Sequence, residues 1–178
     1  MTQSVAQEFT VRLAQPADVE PLSQLAIRTF RDTYAEHNQP ENMARYLAEH
    51  FSPAHQAEEL ADPAMATVIA EAGRRLIGYA QLRVGNPPEC VPGSDPLELS
   101  RFYVDRPWHG RGVAQALMSA TLAEAARRGA RTLWLGVWER NPRGIAFYRK
   151  CGFADVGGQT FVLGTDRQDD RVMALALA

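Results

Sequence analysis

The sequence predicts an α/β (α+β) fold, a mixed sheet with helices on both faces. Three observations lead there. The 178 residues are 46% apolar and 22% charged, the balance of a soluble globular chain long enough for one domain with a proper core. Alternating segments take turns with segments whose apolar residues fall at helical spacing, in the order β-α-α-(α)-β-β-β-α-β-α-β-β. No repeat or low-complexity segment interrupts that order.

The elements follow one by one. Phe9 to Ala14 sets Phe9, Val11 and Leu13 against Thr10, Arg12 and Ala14, a half-buried strand. Pro16 and Asp18 open a helix with Val19, Leu22, Leu25, Ala26 and Phe30 on one stripe. Two shorter amphipathic helices, Pro40 to Phe51 and Pro53 to Leu60, each begin at a proline, whose missing N–H would be unpaired in a first turn anyway. Ala66 to Glu71 and Arg75 to Val84 read as a hairpin about Ala72-Gly73-Arg74. Gly85 to Pro96, with four prolines, is a loop. Leu97 to Val104 is a strand, and Gly112 to Arg128 a helix stopped by Gly129. Thr132 to Trp138 is a strand, and Pro142 to Lys150 a short helix stopped by Gly152. Phe153 to Leu163 and Arg171 to Leu177 close the chain as a pair of strands.

Composition removes several function classes. No apolar run approaches ~18 residues, so no membrane span is expected. Met1 to Thr10 lacks the basic start and apolar stretch of a secretory signal, and Cys90 and Cys151 form no CxxC pair; together these point to reduced thiols and a cytoplasmic protein. His37, His50, His55 and His109 have no HExxH spacing, so no metal is expected. Lys150 is the only lysine, and it sits between Arg149 and Cys151, which excludes a Walker A loop. A Schiff-base enzyme would have that one lysine to use.

The net charge of −2 gives no general attraction to nucleic acid, but charge is unevenly spread. Between Asp32 and Asp62 seven acids face only Arg45, a net of −6. Between Arg101 and Lys150 ten bases face three acids, a net of +7. One stretch suits cations and the other anions, although solvated surface explains any single charge as well.

Two segments carry chemistry. In Leu97 to Met118, LELSRFYVDRPWHGRGVAQALM, a strand runs through a glycine turn into a helix. His109, Gly110, Arg111, Gly112, Val113 and Ala114 put small residues where backbone N–H groups can approach an anion at a helix N-terminus. A plain tight turn accounts for Gly-x-Gly equally well. In Trp134 to Phe153, WLGVWERNPRGIAFYRKCGF, Asn141 starts a helix and Tyr148 follows on the same face about two turns later. An N-cap and a core tyrosine are the plain readings of that pair.

Together the segments resemble the GNAT superfamily of N-acetyltransferases. The first resembles its Gln/Arg-x-x-Gly-x-Gly/Ala signature, with His109 in the Gln/Arg position and Gly112 and Ala114 completing it. The second resembles the family's Asn-x-x-Ala/Gly-x-x-Phe-Tyr-x-x-x-Gly-Phe segment through Asn141, Gly144, Phe147, Tyr148, Gly152 and Phe153. LGVWERNPRGIAFYRKCGF with the later FVLGTDRQDDRVM is most similar to the bacterial spermidine/spermine branch.

The resemblance implies a mainly antiparallel sheet of six to seven strands with a splayed central pair. It implies one domain over 1–178, with 32–62 covering the acceptor and 97–153 binding acetyl-CoA. Arg111 to Ala114 would hold the pyrophosphate, and Phe102 and Val104 would pair with the pantetheine arm as an added strand. An amide near Phe102 or Tyr103 would polarise the thioester carbonyl. Asn141 would hydrogen-bond the pantetheine, and Lys150 or Arg149 would meet the 3′-phosphate. Tyr148 would protonate the departing thiolate, and Glu98, on the strand before the glycine turn, would deprotonate the amine; Glu36, His37 and Glu139 are the other candidates for that task.

The acidic stretch would draw a polycation such as a polyamine, with Glu36 and Tyr34 beside Glu98 at the substrate. A protein N-terminal, lysine or antibiotic amine is the alternative acceptor. Outside the enzymes, a non-catalytic acyl-CoA sensor competes, since it needs only the glycine turn. A dinucleotide-binding protein would need a third glycine and an earlier strand. The partner is a small amine rather than nucleic acid or membrane, with a homodimer left open.

Overall fold

In the computed structural model residues 8–178 are described; the N-terminal reading made above lies outside them for residues 1–7. The alternating segments pair into one sheet of seven strands: β1 (Thr10–Leu13), β2 (Met65–Ala72), β3 (Arg75–Arg83), β4 (Pro96–Val104), β5 (Thr132–Trp138), β6 (Ala154–Leu163) and β7 (Asp166–Ala176). Their spatial order is β1-β2-β3-β4-β5-β7-β6, and β4 with β5 is the one parallel pair. Five helices cover the two faces: α1 (Val19–Tyr34), α2 (Pro40–Phe51), α3 (Pro53–Ala61), α4 (Val113–Arg127) and α5 (Pro142–Lys150).

The helical stripes decide which face each helix covers. Leu22, Leu25 and Phe30 of α1, with Leu47 and Phe51 of α2, pack on Ile69 and Tyr79 of the sheet. On the opposite face Leu117, Met118 and Ala125 of α4 meet Val68, Leu82, Leu97 and Leu133, and Phe147 and Tyr148 of α5 lie against the same cluster.

The sheet opens in its middle. Hydrogen-bonded pairing of β4 with β5 runs from Pro96 opposite Thr132 to Glu98 opposite Trp134 and ends there. Just beyond, Leu99 stands opposite Leu82 while Arg101 stands opposite Gln81, so Ser100 is an extra residue in β4. Its hydroxyl donates to the Gln81 carbonyl at 3.2 Å. A bulge bends its strand and increases the local twist, which turns β4 away from β5 while each keeps its other neighbour. The end of β4 is then pinned by Asp105, whose buried carboxylate accepts from Arg28 of α1 at 3.0 and 3.1 Å and from Arg75 of β3 at 2.9 Å.

The last strand differs from its sequence reading. It begins at Asp166 rather than Arg171, after a turn whose Gly164 has φ +63°. Asp166 to Asp170 are all polar, so no alternation marks them as strand. Pairing with β6 holds them, and their side chains meet the helical side: Asn42 donates to Asp166 at 3.3 Å and Gln168 to Asn38 at 2.8 Å. No described helix is long and apolar enough to cross a membrane.

Candidate active site

The separation of β4 from β5 leaves a cleft of about 420 Å³. Tyr34, Tyr103, Val104, His109, Asn141 and Tyr148 all line it, with Phe102 and Ala114, so the structure brings most of the sequence-predicted site together.

At one end the glycine turn does what its composition allows. Gly110 and Gly112 have φ of +74° and +82°, and a Cβ on either would meet nothing within 4 Å. The first backbone hydrogen bond of α4 is Ala116 N–H to the Gly112 carbonyl at 3.1 Å. The N–H groups of Val113, Ala114 and Gln115 therefore have no partner within the helix. The Val113 side chain is wholly buried against Trp108 and Ile77, so only its backbone can serve a ligand. The Arg111 guanidinium lies 5.5 Å above the Trp108 ring, and Arg143 reaches His109 at 2.8 Å. This end gathers the free backbone donors and positive charge that an anion requires.

In the middle, Tyr148 stands edge-on to Phe102, Phe147 and Phe153, at centroid distances of 6.1, 5.6 and 5.8 Å. Burial first, then the Tyr34 phenol and Cys151, push the Tyr148 hydroxyl well above the ordinary phenol value. It remains a proton donor throughout the neutral range. Asn141 caps α5, its Oδ1 accepting from Gly144 N–H at 2.9 Å, and lines the cleft.

The other end is aromatic. Tyr34 and His37 pack on Trp138 at centroid distances of 5.7 and 4.9 Å. Burial pushes the Tyr34 phenol up to about 12, against a hydrogen bond from Tyr103. Arg101 also lines this end, but Glu59 of α3 holds it at 2.7 Å.

Some predicted residues fall elsewhere. Glu98 does not line the cleft: it is buried on the α1–α3 side, and Arg83 takes both its oxygens at 2.6 and 3.1 Å. A carboxylate turned away from the cleft and held by Arg83 does not meet an acceptor there, so its expected place is corrected. Glu36 is exposed in the turn after α1, outside the cleft wall. Lys150 is exposed at the last turn of α5, at the far end from Asn141.

The reading from sequence missed Arg143, Trp138 and Gly136. Gly136 did carry a signal, a lone glycine inside an otherwise bulky strand between Trp134 and Trp138, which marks a close approach.

Residues 21–153 match the profile of the Acetyltransferase (GNAT) family. An uncharacterised N-acetyltransferase of Mycobacterium tuberculosis is 38% identical over 161 residues, covering 90% of this chain and 98% of that protein. The ribosomal protein bS18-alanine N-acetyltransferase of Escherichia coli is 31% identical over 86 residues, 47% of this chain and 58% of that protein. Among solved structures, the PaiA N-acetyltransferase of Thermoplasma acidophilum, in complex with coenzyme A, superposes with a TM-score of 0.74 at 20% identity, covering 95% of this chain and 99% of that one.

Proposed function

The chain belongs to the acetyltransferase (GNAT) family and is an N-acetyltransferase; from that premise we propose that it moves acetyl from acetyl-CoA to a primary amine by direct attack, and that the amine is a polyamine or another polycation. The observation that carries the reading is the cleft where β4 leaves β5, with the half-buried Tyr148 in its wall.

Acetyl-CoA supplies an acetyl group activated as a thioester. The free N–H groups of Val113, Ala114 and Gln115 fit a pyrophosphate, and Arg111 and Arg143 add charge. The edge of β4 from Leu99 onward, unpaired on the β5 side, offers Phe102, Tyr103 and Val104 to an extended pantetheine arm. The Asn141 NH₂ donates to the same arm. An amide of Phe102 or Tyr103 polarises the thioester carbonyl. Tyr148 donates its proton to the departing sulfur, which leaves more readily as a thiol because its conjugate acid has a pKa near ~8.5.

The acceptor enters from the aromatic end. Asp32 lines the cleft there with Tyr34 and Trp138. The other acids of the 32–62 stretch act at a distance or are taken: Glu41 and Glu49 are exposed, and Glu59 is neutralised by Arg101. The resemblance of the 135–153 segment to the spermidine/spermine branch supports the same class.

The test is thiol release from acetyl-CoA with spermidine, a monoamine and an alanine-starting peptide, at low and high salt. Spermidine should be the best acceptor, and its KM should rise with salt more than that of the monoamine, because exposed charges are screened beyond ~8 Å at physiological ionic strength. The Escherichia coli relative supports a second reading, a protein N-terminal amine. Turnover of the peptide without turnover of spermidine would select it. Binding of acetyl-CoA with no thiol release on any amine would instead make the chain a sensor.

A further inference from the structure

Gly136 is an exposed residue in the middle of a central strand whose neighbours Trp134, Leu135, Val137 and Trp138 are all buried. It lies in the cleft wall. What fills the space beside it comes from the last hairpin. A Cβ on Gly136 would collide with the Gln159 amide and stand 3.2 Å from Asp170 Oδ2. Asp170 pairs with Trp138 on one side and Gln159 on the other, so its side chain leaves the same face as Trp138. That is the face on which Tyr34 and His37 cover Trp138. The missing side chain at position 136 thus leaves a notch in the cleft wall, with the Gln159 amide and the half-buried Asp170 carboxylate directly behind it; Asp170 itself does not line the cleft.

We propose that Asp170 is the carboxylate that holds the acceptor ammonium and takes its proton, through the notch left by Gly136. The inference rests on the acetyltransferase reading above and supplies the base that Glu98 does not.

The surroundings suit the task. No arginine or lysine among the described residues pairs with Asp170, in contrast to Glu98, Asp105 and Glu124. The groups around it are the Tyr34 and Tyr46 phenols from α1 and α2, the neutral Gln159 amide on β6, and Asp169 on its own strand. Burial first, then Asp169, raise the Asp170 carboxyl to about 6. A carboxylate with that value is largely ionised at pH 7 and a better proton acceptor than an ordinary aspartate, and the aromatic walls favour the cation.

The step balances. The ammonium gives one proton to Asp170 and becomes a neutral amine. Its lone pair forms the C–N bond, the C–S bond breaks, and the sulfur takes the Tyr148 hydroxyl proton. The second nitrogen proton returns to Tyr148, and Asp170 releases its proton to water. The products are the amide, a thiol and one proton.

Three measurements on wild type, Asp170→Asn and Gly136→Ala test this. They are acetyl-CoA affinity by calorimetry, spermidine affinity by calorimetry, and kcat/KM for spermidine and the alanine peptide between roughly pH 5 and 9. Asp170→Asn keeps shape and removes charge. It should bind acetyl-CoA as wild type does, bind spermidine at least tenfold more weakly, lose about 10²-fold or more in kcat/KM, and lose the acid limb near pH 6. Gly136→Ala should lower kcat/KM for both amines with the acid limb retained. Equal spermidine affinity together with an unchanged acid limb in Asp170→Asn would overturn the assignment. Failure of the wild type to release thiol is failure of the acetyltransferase reading instead, and spermidine affinity then decides Asp170 alone.

Discussion

His109 Nδ1 lies 2.8 Å from Arg143 Nη1, while Nε2 of the same ring meets the Val104 carbonyl at 2.7 Å. A carbonyl can only accept, so Nε2 carries the ring proton and Nδ1 accepts from the guanidinium, an assignment that follows from the hydrogen-bond network. One imidazole thus ties the end of β4 to the first turn of α5 and holds Arg143 beside the glycine turn. His109→Ala frees Arg143 and should weaken acetyl-CoA binding by about 1 kcal/mol, roughly fivefold in Kd, with kcat little changed. Calorimetry checks this; an unchanged Kd means Arg143 needs no such support.

Gly112 caps α4 in the left-handed region with open space about it. Asn and Asp tolerate that conformation better than other side chains, so both variants should fold. An Asp there accepts from the α4 N–H groups itself and adds a negative charge. Gly112→Asp should abolish acetyl-CoA binding, and Gly112→Asn should weaken it less. Equal calorimetric affinities for the two variants would remove the pyrophosphate from this turn.

Tyr148→Phe keeps the ring contacts with Phe102 and Phe153 and removes only the hydroxyl. Turnover should fall by ~10²–10⁴-fold while acetyl-CoA affinity stays near wild type. Since burial holds the phenol protonated, no loss of rate from Tyr148 ionisation is expected as pH rises from about 7 to 9. A rate within about threefold of wild type would leave Tyr148 a packing residue.

Asp105 joins α1, β3 and the end of β4. Burial alone would raise its carboxyl, but the hydrogen bond and charge of Arg28, with Arg75, hold it below its ordinary value. A depressed carboxylate contributes stability that is present above the unfolded value of ~3.9 and is lost as pH falls through the folded value. Wild-type Tm should therefore fall on acidification below about pH 5, and part of that slope should vanish in Asp105→Asn. At pH 7 the variant should lose about 1–3 kcal/mol, limited by the partial exposure of both arginines. Denaturant titrations at pH 7 and at about pH 3 measure both; equal slopes would show that Asp105 is not the group being titrated.

The local punctuation of the chain was readable without coordinates. Prolines at Pro40, Pro53 and Pro142, glycines at Gly129 and Gly152, the alternation of β1 and the hairpin signal about Gly73 placed elements where the structure has them. Asp166 to Asp170 were not readable as strand, because their pairing with β6 and their contacts with Asn38 and Asn42 are made by distant residues.

The sequence by itself determined the parts of the proposed donor half. They are backbone N–H groups behind two glycines and a tyrosine on one helix face, and both depend on spacing within a single segment. Tertiary structure alone decided where the acids stand. Perfect alternation along β4 would put Glu98 on the same face as Phe102 and Val104. The extra residue Ser100 reverses that parity, so Phe102 and Val104 pack toward α5 while Glu98 turns to Arg83 on the other face. Asp170 stands behind the cleft wall because β7 inserts between β5 and β6 and lays it beside Gly136, a neighbour 34 positions earlier in the chain. Strand order and bulges fix which distant side chains meet, and neither is written in the period of any one strand.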